Sequence, residues 1–156
     1  MACLYYEFKF MKIAKEFNWE MGHRLPEHFG KCKNIHGHSY KLMVELDGDL
    51  NENGMVMDYY DLKRIVNPIV ENLDHAFMVY EKDNRVIEFL ERIKSKKVIV
   101  NFESTVENIT RYFLAEIKKH DLPVNIHKIK VRVCETPDDY AEEEIELPVK
   151  NVNRIT

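Results

Sequence analysis

His36 and His38 flank a single glycine, and His23 lies upstream across a polar loop, RLPEHFGKCKN. In an extended strand, residues two apart share a face, so the imidazoles of His36 and His38 can reach one ion. His23 closes the segment KIAKEFNWEMGH, whose face is otherwise apolar. Three neutral nitrogen ligands leave a fourth position open, the arrangement of catalytic rather than structural zinc. The competing reading makes His23 a strand-end residue turned to solvent and the other two satisfied core histidines. His28, His120 and His127 are read as ordinary surface residues.

Other residues could act on a substrate held there. Cys32 lies four positions before His36. It reads as a small loop hydrophobe, as a fourth ligand closing the metal shell, or as a thiolate base or nucleophile supported by a metal or a nearby cation. Asp74-His75 follows an apolar helical stretch; the pair is either a helix C-terminal signal or a couple in which Asp74 fixes the tautomer of His75. Glu135 falls in the apolar-facing register of its strand, so its carboxylate is expected to look inward. A buried carboxylate needs donors, and two adjacent N–H groups of an aminopyrimidinone ring would supply them; the alternative has Glu135 turning into solvent at the strand end. Ser104, Thr105 and Glu107 first suggest helix capping, with Ser104-x-x-Glu107 as the box.

These residues need elements to hold them. Residues 12–23 alternate, placing Ile13, Phe17, Trp19, Met21 and His23 on one face of a strand. Residues 36–47 do the same with His36, His38, Tyr40, Leu42, Val44 and Leu46. After a turn-rich DGDLNENG, the residues Leu62, Ile65, Val66, Ile69, Val70 and Leu73 fall at helical spacing. Pro68 inside that stretch predicts a kink or a helix in two parts. Residues 84–95 suggest a further helix and 105–119 a clear one. Residues 126–135 alternate with Ile129, Val131, Val133 and Glu135 on one side, and a last strand covers 141–147. The order strand, strand, helix, helix, helix, strand, strand predicts an α+β fold with an antiparallel sheet.

The 156 residues suit a single domain, with residues 1–10 as a candidate N-terminal extension before Met11. A hydrophobic content of 45%, a charged content of 32% and a net charge of −4 describe a folded, non-polyanion-binding chain. No membrane span or secretory leader is expected, and no nucleic-acid-binding stripe is evident. Three widely spaced cysteines, Cys3, Cys32 and Cys134, argue for a reducing, cytoplasmic setting.

Several motifs taken together resemble the 6-pyruvoyl-tetrahydropterin synthases and the related 6-carboxytetrahydropterin synthases. They are Phe17-x-Trp19-x-Met21-Gly22-His23-Arg24-Leu25, Cys32-x-x-x-His36-Gly37-His38-Ser39-Tyr40, Gly54-Met55-Val56-Met57-Asp58 with Asp61-Leu62-Lys63, Leu73-Asp74-His75, Ser104-Thr105-x-Glu107-Asn108 and Glu135-Thr136. The resemblance implies a tunnelling fold in which trimers close their sheets into a barrel and stack as hexamers, with the active site near a subunit interface. It implies that His23, His36 and His38 hold Zn2+ and that Cys32 is the base. It further implies that Asp74 and His75 relay the proton, within the chain or from a neighbouring subunit, and that Glu135 anchors the pterin with Ser104 and Thr105 nearby. The substrate so implied is 7,8-dihydroneopterin triphosphate. The expected product is 6-carboxytetrahydropterin of a queuosine-type pathway; the alternatives are the pyruvoyl product, or a non-catalytic zinc-stabilised pterin- or purine-binding module. Arg24, Lys31 and Lys33 are candidate triphosphate contacts. The chain departs from the compact bacterial members in a longer, charged 80–101 region, and Met21-Gly22 replaces a smaller pair before the first histidine.

Overall fold

The structure is a computed structural model that describes residues 11–148; the candidate extension at residues 1–10, with Cys3, lies outside them. Two long strands form the centre, β1 (Met11–His23) and β2 (His36–Gly48). They pair antiparallel along their whole length, with Trp19 opposite Tyr40, Met21 opposite His38 and His23 opposite His36. Their alternation follows the pleat: Phe17, Trp19, Met21, Tyr40, Leu42, Val44 and Leu46 point to one buried face. β2 continues into β5 (Ile126–Cys134), and β5 into the edge strand β6 (Tyr140–Glu146), both antiparallel.

On the other side of β1 the sheet departs from the antiparallel expectation. The short strands β3 (Ala76–Tyr80) and β4 (Lys97–Val100) join it in parallel, giving the order β4-β3-β1-β2-β5-β6. A parallel neighbour needs a crossover, and the helix between β1–β2 and β3 supplies it. That helix, α1 (Tyr59–Leu73), is capped by Asp58, whose side chain accepts the Tyr60 amide. It lays Leu62, Val66, Ile69, Val70 and Leu73 on the sheet. Burying each of these side chains contributes about 1.5–3 kcal/mol.

α1 runs unbroken through Pro68, contrary to the expected division. Pro68 and Arg64, whose carbonyl loses its partner, both lie on the exposed side, where water can take the bond. α3 (Val106–Lys118) packs Ile109, Phe113, Leu114 and Ile117 into the same core as α1. Its cap is Thr105 rather than Ser104: the Thr105 hydroxyl accepts the Asn108 amide.

The helix α2 (Asn84–Arg92) belongs to the charged 80–101 region. Its Val86 and Leu90 form a separate cluster with Phe77 and Val79, whereas Met78 joins the main core. Because successive strand residues point to opposite faces, α2 covers the side of β3 away from α1 and α3. No helix among the described residues is long and apolar enough to cross a membrane.

Candidate metal centre and active site

The strand pairing alone brings His23, His36 and His38 onto one face at the end of the β1–β2 ladder. One ligand nitrogen from each lies within 4.8 Å of the others. Close strand approach makes the intervening glycine obligatory: a Cβ on Gly37 would sit 2.9 Å from the Met21 carbonyl oxygen. His23 is fully buried, while His36 and His38 are partly exposed.

The proton positions follow from the backbone. His23 Nδ1 lies 2.8 Å from the carbonyl oxygen of Ser104, and His36 Nδ1 lies 2.8 Å from that of Asn34. Carbonyl oxygens only accept, so both Nδ1 atoms carry hydrogen and both Nε2 atoms present lone pairs when the rings are neutral. The Nε2 atoms of His36 and His38 are buried and have no hydrogen-bond partner. A buried nitrogen without a partner is costly, and two converging ones ask for an electrophile.

Glu135 strengthens that demand. It follows β5, and its Oε1 lies 3.3 Å from His23 Nε2 and 3.7 Å from His38 Nε2. Tyr40, stacked on Trp19 with centroids 5.0 Å apart, donates its hydroxyl to the same Oε1 at 3.2 Å. Burial, the Glu135 charge and hydrogen bond, and the proximity of Cys32 hold the Tyr40 phenol protonated. Burial pushes the pKa of His23 below its ordinary value, and the Ser104 bond and Glu135 oppose this without reversing it. A neutral imidazole lone pair facing a carboxylate is repulsive unless a cation lies between them. The donor set of three imidazoles beside a carboxylate therefore fits a divalent metal of the zinc type.

The remaining candidates are distributed around this centre. Cys32 is unpaired and half-buried in a short 3-10 turn, Lys31–Lys33, outside the three-histidine ligand group. The Leu25 amide holds its carbonyl at 2.8 Å. Ser104 is buried; its carbonyl orients His23 and its hydroxyl donates to the Arg24 carbonyl at 3.3 Å. Thr105 is engaged as the α3 cap. Arg24, a candidate triphosphate contact, is instead clasped by Asp83 through two bonds of 2.6 and 2.9 Å. The sequence alone gives neither Asp83 nor Tyr40 a role, although the alternation already puts Tyr40 in line with His36 and His38.

Asp74 and His75 pair with each other and not with the three histidines. Asp74 ends α1, accepts the Glu20 amide at 2.9 Å and pairs with His75 Nδ1 at 2.9 Å. The Glu20 bond and His75 hold the Asp74 carboxyl below the usual carboxylate range. His75 adopts a left-handed backbone with φ of 54°, uncommon for a residue with a side chain. Its imidazole is exposed and lines a groove with Glu20, Ser39, Phe77 and Leu90, which Gly37 and His38 also border. Since Met21 and His38 face the core, their neighbours Glu20 and Ser39 mark the opposite side of the sheet.

Comparison with known proteins agrees with this architecture. The family model described as 6-pyruvoyl tetrahydropterin synthase matches residues 12–146. A 6-carboxy-5,6,7,8-tetrahydropterin synthase from Haemophilus influenzae is 41% identical, over 84% of this chain and 96% of its own length. One of the same name from Aquifex aeolicus is 31% identical, again over 84% and 96%. Among solved structures, the 6-pyruvoyl tetrahydropterin synthase of Plasmodium vivax superposes with a TM-score of 0.72 at 20% identity, covering 88% of this chain and 99% of that one. That of Caenorhabditis elegans gives 0.65 at 26% identity, covering 86% and 94%.

Proposed function

The chain belongs to the 6-pyruvoyl tetrahydropterin synthase family, and from that premise we propose that it is a zinc-dependent pterin lyase. Its substrates are 7,8-dihydroneopterin triphosphate and one water, and its product is 6-carboxy-5,6,7,8-tetrahydropterin, with release of triphosphate and acetaldehyde. The observation that carries the reading is the convergence of three histidine nitrogens, two of them buried without a hydrogen-bond partner. The names of the relatives from Haemophilus influenzae and Aquifex aeolicus support the carboxy product.

His23, His36 and His38 hold the zinc, with Nδ1–H groups of His23 and His36 fixed on carbonyls so that Nε2 faces the ion. A zinc ion bound there supplies Lewis acidity that polarises the substrate's side-chain oxygens and acidifies the adjacent C–H. Cys32, left outside the ligand group, takes that proton. Glu135 accepts adjacent ring N–H groups of the pterin, and Ser104 and Thr105 border the same region. This reading is favoured over a structural zinc module because the ligand group has no fourth protein member among the described residues.

Asp74 and His75 serve as proton relay for a neighbouring copy. What supports this is that Asp74 and His75 pair with each other, make no hydrogen bond or ion pair with the histidines of their own chain, and that His75 lines an open groove. Phe29, fully exposed in the loop beside Cys32, and the exposed Ile35 suit burial against another subunit of a trimer or hexamer.

The test is incubation of the zinc-loaded protein with 7,8-dihydroneopterin triphosphate and mass analysis of products. The carboxy product with acetaldehyde is expected. The pyruvoyl product without acetaldehyde would reassign the reaction within the family, and unchanged substrate would refute the lyase.

A further inference from the structure

Asp83 stands at the N-cap position of α2, where an aspartate ordinarily binds its own helix amides, yet its side chain makes no cap hydrogen bond. The carboxylate is buried and turned to Arg24 instead: Arg24 Nε donates to Oδ2 at 2.6 Å and Nη2 donates to Oδ1 at 2.9 Å. A two-pronged guanidinium–carboxylate pair fixes orientation as well as distance. What it fixes is the peptide next to the metal centre.

Arg24 directly follows His23 in the chain. Its carbonyl accepts the Ser104 hydroxyl at 3.3 Å, while the Ser104 carbonyl accepts from His23 Nδ1 at 2.8 Å. One residue further, the Leu25 amide donates to the Cys32 carbonyl at 2.8 Å. The segment His23-Arg24-Leu25 therefore carries a ligand at one end and holds the Cys32 turn at the other, with its middle side chain clasped by α2. We propose that Asp83 is a positioning residue: through Arg24 it sets the placement of the metal ligand His23 and of the Cys32 turn. This gives the charged 80–101 region a task at the active site although α2 packs on the opposite face of the sheet. It also means that Arg24 is committed to Asp83 and is not a free cation awaiting phosphate.

The inference rests on reading His23, His36 and His38 as metal ligands. Three variants test it in the full chain: Asp83→Asn, which keeps shape and removes charge; Arg24→Lys, which keeps charge and cannot form the fork; and the two combined. Cobalt(II) serves as the metal probe, read by its visible absorption, and Cys32 is followed by peptide-resolved alkylation of the metal-free protein. Asp83→Asn should lower cobalt affinity, by up to the roughly 10–100-fold seen on removing a group bonded directly to a ligand, since Asp83 acts on His23 through Arg24. It should also speed Cys32 alkylation, and the combined variant should be no worse than either single one. A role in fold stability alone would lower the metal-free melting temperature and leave the cobalt affinity of the folded protein unchanged; that result overturns the proposal. If Asp83→Asn does not fold, Arg24→Lys decides by the same criterion. Should the unaltered chain bind no cobalt, the metal reading fails by itself, and the Cys32 alkylation rate then decides for or against Asp83.

Discussion

The Nδ1 of His23 sits 2.8 Å from the carbonyl oxygen of Ser104, a residue far along the chain at the threshold of α3. This contact equips a strand-end histidine to act as a ligand, because it fixes the tautomer and leaves Nε2 facing His36 and His38. The core helix α3 thereby determines how the β1–β2 centre is oriented.

Removing a ligand should remove the metal without unfolding the chain. His36→Ala and His38→Ala are expected to lose stoichiometric zinc while the metal-free protein keeps its circular dichroism, since both side chains are only partly buried. Full zinc retention in both variants would contradict the three-histidine centre.

The buried His23 should make stability dependent on pH. Its folded pKa is lowered from the ordinary 6.5, chiefly by burial. Between the two values the unfolded chain binds the extra proton, so stability is complete above about 6.5 and declines as pH falls below it. Melting of the metal-free protein should show this decline, and His23→Asn should flatten it.

Cys32→Ala should keep zinc and fold but lose turnover, by about 10²–10⁴-fold, the usual contribution of a general base. If zinc affinity and melting temperature drop together, Cys32 is a fourth ligand and the zinc is structural.

Glu135→Gln should weaken pterin binding more than zinc binding. The amide offers one acceptor and a donor group where the carboxylate offers two acceptors, leaving one ring N–H unmatched, at a cost of about 1–3 kcal/mol. Calorimetry with a pterin ligand, run alongside zinc titration, separates the two effects.

The relay should act between chains. Cys32→Ala and His75→Ala are each expected to be nearly inactive, yet co-expressed chains should regain activity, because a mixed particle contains sites with both groups intact. No recovery in verified mixed particles would place Asp74 and His75 outside a shared site.

The elements with a half-solvated face were legible in the sequence because burial writes a period into them. The alternation of Phe17, Trp19, Met21 and His23, and the helical spacing from Leu62 to Leu73, led directly to β1 and α1. The same logic turned Glu135 inward, toward His23. β3 escaped notice because a strand covered on both faces, such as Ala76–Tyr80, has no polar phase to alternate with; its short apolar run AFMVY was the available signal, while β4, with four residues, is too short to show a period. Ser104 reads from the sequence as the cap in place of Thr105, since both bear hydroxyls and only backbone geometry chooses between them. The Asp83–Arg24 fork joins residues far apart in sequence, and Asp83-Asn84 reads locally as an ordinary helix start.

The pairing of His23 with His36 and of Met21 with His38 also bears on how the hairpin finds its alignment. A one-residue slip between β1 and β2 would turn one strand's side chains to the other face, separating His23 from the pair His36 and His38. The same slip would expose Phe17 and Trp19, or Leu42 and Val44, to water. The histidine set and the apolar set thus share one phase, so a one-residue slip would undo both together. The three histidines would make a proofreader of the zipper: a hairpin slipped by one residue would lose the ion they would hold, and a correctly aligned one would be locked by it.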